Sequence, residues 1–288
     1  MKKIGLALGG GAAKGLAHIG VIKALEKAGV EIDFIAGTSM GALIGGYYAA
    51  TKDINGLENI MLNIKKSNIF SLRDMIKKKD GSLFRGNPIA ELLKRELGDI
   101  KIEDCKIPFT AVATKVKNGN EALLNSGNLV DAIKASIAIP VIFSPVEIDG
   151  ELMMDGGLVN PVPADVVKKM GADCVIAVDV SSRWLETPEE MISVKDMYSI
   201  IYRAFAVLEY QLAKNVLKQS ADIVIKPPVF HCHWFDFENA SRIIELGEEE
   251  TGLYIKEIRK QAGYKKPKET LGEKFFDFIF GPLGNKAK

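Results

Sequence analysis

The pentapeptide Gly37-Thr38-Ser39-Met40-Gly41 constrains this chain more than any other stretch. It lies between a short apolar run, residues 32–36, and a helix-forming stretch from Met40 to Ala50. A serine in a G-x-S-x-G turn between strand and helix fits a nucleophile elbow. Such a turn is strained, presents its hydroxyl outward, and needs small neighbours so that backbones can approach closely. A glycine-flanked turn whose serine merely caps the next helix is the plainer alternative. An oxyanion site and a base elsewhere in the chain would decide between them.

Lys3 to Leu8 is almost continuously apolar, as in a central parallel strand buried on both faces. It runs into Gly9-Gly10-Gly11-Ala12-Ala13-Lys14-Gly15, after which Leu16, Ile19, Ile22, Ala24 and Leu25 recur at helical spacing up to Gly29. A glycine loop feeding a helix presents backbone N–H groups at the positive end of the helix dipole and so forms an anion site. A Walker loop would need Gly-Lys-Ser/Thr, whereas the order here is Lys14-Gly15-Leu16. A dinucleotide site would need glycine where Lys14 stands and an acid ending the second strand, which ends at Ser39 instead. Consecutive parallel strands bring their C-terminal loops to one sheet edge, so the loop is expected beside Ser39, as an oxyanion hole. Lys14 reads as support for that loop, and His18 as a helix-face histidine with a local partner.

Further along, residues 53–98 depart from the α/β rhythm and read as an amphipathic helical insert, with Asn87-Pro88 opening a helix. Lys77-Lys78-Lys79 within it is either a solvated face or part of a lid that meets a membrane. A strand over Pro108–Val116 and another through Leu124 follow, then a helix from Leu129 to about Ala138, stopped at Ile139-Pro140. A hairpin over Val146–Met154, turning at Asp149-Gly150, delivers Asp155-Gly156-Gly157 and the rigid Asn160-Pro161-Val162-Pro163. Asp155 therefore stands at a strand-to-loop junction, either as a turn residue or as the missing base.

A helix through Met170-Gly171, a buried strand over Cys174–Val178 ending at Asp179, and a long helix within Glu189–Gln219 restore the α/β rhythm. Ile200, Ile201, Phe205, Leu208, Leu212, Val216 and Leu217 are expected to form the core-facing stripe of that helix. Asp179 reads as a strand-end cap. Asp222–Ile225 is the last strand.

The 288 residues carry a formal net charge of +1, which leaves no global field to recruit nucleic acid. Three widely spaced cysteines, Cys105, Cys174 and Cys232, argue against a disulfide framework and for a reducing, cytoplasmic setting. The run after Met1-Lys2-Lys3 breaks too soon for a signal peptide, and no stretch is long enough to span a bilayer, so membrane contact would be peripheral.

A glycine loop opening the first helix, Gly-Thr-Ser-Met-Gly after the second strand and Asp-Gly-Gly further on form the ordered motif set of patatin-like phospholipases. The chain resembles that family, particularly its compact bacterial members, over roughly Lys3 to Val180. The resemblance implies a three-layer α/β/α fold with a mostly parallel sheet and a helical insert. It also implies a Ser-Asp dyad, with Ser39 as nucleophile and Asp155 as base, and an oxyanion site at the N–H groups of Gly10, Gly11 and Ala12. Gly9, Gly15, Gly37, Gly41, Gly156 and Gly157 would support these turns. Lys14 stands where many members have arginine, which keeps the charge but loses the bidentate fork. Ser136 to Pro145 is similar to the family's stretch before the aspartate. The substrate implied is a lipid or fatty-acyl ester, with no cofactor and no metal. Since an ordinary aspartate is a weak base, Asp155 must be desolvated or otherwise tuned.

Two alternatives stay open. One is a Ser-His-Asp esterase using Asp155 or Asp179 with His231 or His233, and the other a nucleotide-binding or regulatory module that uses the glycine loop. His231-Cys232-His233 could also suggest a metal, but a site needs three or four ligands and no partner cluster is evident. Trp234, Phe235 and Phe237 read as a loop packed on the core or rimming an acyl pocket. The expected organisation is a catalytic domain over 3–226 with its insert. Residues 227–288 would follow as a loop, an amphipathic helix from Arg242 to Gly263 and an aromatic tail, 275–280, docked on the protein or on lipid.

Overall fold

The computed structural model describes residues 1–63, 88–181, 197–232 and 236–264. The lysine run at 77–79, His233, Trp234, Phe235 and the aromatic tail lie outside the described residues.

The strands are β1 (Ile4–Leu8), β2 (Phe34–Thr38), β3 (Phe109–Lys115), β4 (Glu121–Leu124), β5 (Val146–Ile148), β6 (Glu151–Asp155), β7 (Cys174–Val178) and β8 (Ile223–Ile225). Among the described residues they form one eight-stranded sheet in the order β5-β6-β3-β2-β1-β7-β8, with β4 also on β3. Strands β3, β2, β1, β7 and β8 pair in parallel; β4, β5 and β6 add antiparallel pairs around β3. The sheet is thus largely parallel, as expected.

The helices are α1 (Ala17–Lys27), α2 (Met40–Thr51), α3 (Ile54–Leu62), α4 (Pro88–Leu97), α5 (Leu129–Ser136), α6 (Ala164–Lys169), α7 (Met197–Ser220) and α8 (Ala240–Gln261). They cover both faces of the sheet, because alternate residues of a strand point to opposite sides. Leu6, Leu8, Ile35, Ile176 and Val178 enter a large core under α1, α2, α3, α5 and α8. Ala7, Ala36, Val112, Val175 and Ala177 enter a smaller core under α6 and α7. Bulky side chains fill the thick layer and alanines admit the close one, giving the α/β/α sandwich.

The described parts of the expected insert, α3 and α4, are helical. Helix α8 is built into the main core. A Cβ on Gly20 of α1 would collide with the Ile244 carbonyl, and one on Gly247 of α8 with the Ala17 carbonyl. The two helices therefore touch backbone to backbone, which only glycine allows at those points.

Helix α7 departs from expectation. Ile200, Leu208 and Leu212 of the expected core stripe are 51%, 55% and 37% exposed, while Ala206, Ala213 and Leu217 are buried. Leu217 of that stripe is buried with Ala213 in the smaller core and Val216 packs against it, so part of the expected stripe faces the core and Ile200, Leu208 and Leu212 do not.

No described helix is long and apolar enough to cross a membrane.

Candidate active site

Ser39 occupies the turn between β2 and α2 with φ 53° and ψ −121°, a region non-glycine residues rarely adopt. Its side chain makes no capping hydrogen bond, which removes the reading of Ser39 as a helix cap. The strained turn is held by neighbours from distant parts of the chain. The Ser39 N–H donates to Ser136 Oγ at 2.9 Å, and the same hydroxyl donates to the Val112 carbonyl at 2.6 Å. Thr38 Oγ1 donates to the Asn160 carbonyl at 2.7 Å. Gly37 and Gly41 sit where backbones cross, since a Cβ on Gly37 would strike the Gly41 carbonyl and one on Gly41 the Leu8 carbonyl.

Strand β3 measures the distance between serine and acid. Thr38 pairs with Val112 in parallel register, and Asp155 pairs with the next residue, Ala113, in antiparallel register. Two strand ends thus meet at adjacent β3 positions. Gly156 keeps the junction tight, because a Cβ there would collide with the Val112 carbonyl and lie 3.2 Å from Thr38 Cγ2. Asp155 is anchored by its N–H to the Ala138 carbonyl at 3.0 Å and by Thr114 Oγ1 donating to its own carbonyl at 2.7 Å.

The Asp155 carboxyl is buried, and desolvation pushes its pKa from 3.8 up to about 6, partly offset by the Gly157 N–H and the Ser39 hydroxyl. Gly157 N–H donates to Oδ1 at 2.8 Å. Oδ2 has no hydrogen-bond partner among the described residues by strict geometry, while the Ser39 hydroxyl is close enough to lower the pKa of the carboxyl.

The glycine loop lies against the serine: a Cβ on Gly10 would stand 3.4 Å from Ser39 Cβ. Its amides divide into two groups. Gly9 N–H donates to the Val178 carbonyl at 3.0 Å and Gly10 N–H to the Pro161 carbonyl at 2.9 Å. Gly10 is therefore spent on holding the loop, which corrects its expected place among the oxyanion donors. Gly11 and Ala12 line the cleft, and their N–H groups meet no acceptor among the described residues. Gly15 faces Met40, whose side chain leaves no room for a Cβ. Lys14 is buried and lines the cleft. His18 is fully buried, with Nε2 2.8 Å from the Gly9 carbonyl, and desolvation lowers its pKa to about 4. It is a neutral prop beneath the loop.

These groups open into a cleft. Ser39, Asp155, Gly11, Ala12 and Lys14 line it, and Ile139, Pro140, Leu158, Phe205 and Ala206 supply apolar walls. Ser181 and Glu209 complete it. Glu209 was hidden in the sequence because α7 reads as a core helix. The available signal was its i, i+4 spacing from Phe205, which puts both on one face.

The histidine alternative loses its geometry for His231, while His233 lies outside the described residues. His231 is exposed, packs edge-to-face on Phe230, and is absent from the cleft lining. Asp179 is buried and accepts the N–H and Oγ–H of Ser181 through Oδ1 at 3.0 and 3.1 Å, the capping role expected of it. No described cluster of three or more His, Cys, Asp or Glu could hold a metal ion. Phe237 is buried in the large core.

A largely parallel α/β/α sandwich carrying a strained serine between strand and helix, beside a glycine loop, defines an α/β protein of the nucleophile-elbow type. The chain belongs to the patatin-like phospholipase family, a family of hydrolases, whose model matches residues 6–168. An uncharacterized NTE family protein of Mycobacterium tuberculosis is 40% identical over 179 residues, covering 62% of this chain and 49% of that protein. Human patatin-like phospholipase domain-containing protein 6 is 31% identical over 268 residues, covering 85% of this chain and 20% of that one. Lysophospholipase nte1 of Emericella nidulans is 28% identical over 303 residues, covering 98% and 20%. The chain thus spans about half the length of the mycobacterial relative and a fifth of the other two. The crystal structure of type III effector protein ExoU shares the fold, with a TM-score of 0.50, 12% identity, and coverage of 91% of this chain and 54% of that one.

Proposed function

We propose that this protein hydrolyses fatty-acyl esters of lipids through an acyl-enzyme on Ser39, with Asp155 as the proton carrier. The observation that carries this reading is the meeting of Ser39 with an unpartnered, desolvated Asp155 Oδ2 in a cleft with apolar walls. Ser39 Oγ attacks the ester carbonyl carbon while its proton passes to Asp155. The carbonyl oxygen, now negative, accepts hydrogen bonds from the Gly11 and Ala12 N–H groups, and Lys14 adds positive charge nearby. Collapse breaks the bond to the leaving alcohol, which takes the proton from Asp155. Water then attacks the acyl-Ser39 ester, gives its proton to Asp155, and the fatty acid leaves as Ser39 is reprotonated.

The family, and the phospholipase and lysophospholipase names of relatives, support lipid esters as the substrate class. We also propose that the cleft is reached from a lipid surface, since Ile200, Val207 and Leu208 stand exposed on the helix that walls it. Vesicle flotation unchanged by Leu208→Ser with Ile200→Ser would count against that.

Fluorophosphonate labelling and hydrolysis of p-nitrophenyl esters of graded chain length test the chemistry. Ser39→Ala should lose labelling and turnover, and Asp155→Asn should lose turnover, while His231→Ala with His233→Ala should keep both. Loss in the histidine variant with activity retained in Asp155→Asn would replace the dyad by a triad.

A further inference from the structure

Among the described residues, Glu209 is the one acid lining the cleft that this chemistry leaves without a task. It projects from α7 on the face that carries Phe205 and Ala206, the helix face that walls the cleft. Its Oε1 lies 2.6 Å from the point where a Gly157 Cβ would stand, and Asp155 Oδ1 lies 3.0 Å from the same point. The two carboxyls are therefore within about 5.6 Å of each other, a range in which like charges disfavour joint ionisation. Glycine at 157 leaves the gap into which both carboxyls fit.

We propose that Glu209 is a positioning residue of the hydrolytic site, holding an uncharged carboxyl beside Asp155 so that the only new negative charge in the cleft is that of the reacting ester. This rests on the Ser39–Asp155 reading above and assigns a further requirement to it. The described charged groups facing Glu209 are Asp155 at the end of β6, Asp179 after β7, and Lys14 from the glycine loop. Desolvation, then the two aspartates, push the Glu209 pKa up to about 8, with Lys14 opposing. Asp155, at about 6, gives up its proton first. Between these values one carboxyl is ready to accept a proton and its neighbour is neutral, the division of labour that paired acids adopt when their environments differ. Above about 8, ionised Glu209 places a second negative charge beside the forming oxyanion in a low-dielectric cleft and raises the barrier. Activity should thus need Asp155 ionised and Glu209 protonated.

The test is kcat/KM for a soluble short-chain p-nitrophenyl ester from pH 5 to 10, corrected with Ser39→Ala and accompanied by circular dichroism at each pH. The wild type should rise through about 6 and then fall about tenfold per pH unit above about 8. In Glu209→Gln, whose amide cannot ionise, the acid limb should remain and the alkaline fall should vanish. Glu209→Ala, which needs no hydrogen-bond partner, must lose the fall as well. An unchanged alkaline fall in either variant would assign it to another group and overturn the role, as would a wild type with no fall up to pH 10. Retained turnover in Ser39→Ala would instead overturn the hydrolytic reading itself, so the two failures are distinguishable.

Discussion

Ser136 Oγ accepts the backbone N–H of Ser39 and passes its own hydrogen to the Val112 carbonyl, tying the strained turn to the strand that also registers Asp155. One hydroxyl therefore bridges α5, the elbow and β3.

Removing that hydroxyl should strand a buried amide and a buried carbonyl. Ser136→Ala is expected to cost about 1–3 kcal/mol of stability, the usual penalty for buried groups left unpaired. The elbow should also lose definition, so kcat should fall while KM changes little. Urea denaturation and steady-state kinetics on the same preparation check both, and an unchanged kcat would mean that the turn holds itself.

Asp155 should make the folded state less stable as it ionises. Its folded pKa of about 6 lies above the ordinary 3.8, so the native form holds the proton more tightly. The stabilising contribution is present below about 4 and is lost as pH rises through about 6. Asp155→Asn should accordingly be more stable than wild type at neutral pH by about 1–3 kcal/mol, with the gap narrowing toward acid. Urea midpoints measured across this range would refute the point if the variant were the weaker protein at neutral pH.

His18 should titrate in the opposite sense. Its pKa, lowered by burial to about 4 from 6.5, keeps the folded ring neutral while the unfolded ring protonates. Its stabilising contribution is present above 6.5 and is lost as pH falls toward about 4. Of the three histidines, the one assigned to His18 should show no imidazole titration by NMR between pH 8 and 5. A midpoint near 6.5 would show the ring to be solvated.

Two glycines of α8 should respond in opposite directions. Gly247→Ala drives a methyl into the Ala17 carbonyl and should cost about 1–3 kcal/mol or more, as overpacking does. Gly252→Ala meets nothing within 4 Å in the same helix and should stabilise by about 0.5–1 kcal/mol. Thermal melts of the pair decide, and equal losses would contradict backbone contact at Gly247.

Much was already determined by local pattern. The apolar run of β1, the glycine loop, the strand-turn-helix around Ser39 and the hairpin ending at Asp155 all lie where residue type and spacing put them, because each needs only neighbours within a few positions. Other features depended on partners far along the chain. The pairing of Thr38 and Asp155 on adjacent β3 residues, the loss of Gly10 N–H to Pro161, and the arrival of Glu209 at the cleft are long-range contacts. Helix α7 shows the physical reason most plainly. Its apolar residues recur at helical spacing, but Ala213, Val216 and Leu217 pack on the smaller core while Leu208 and Leu212 stay exposed, and periodicity carries no record of which part of a stripe meets a partner.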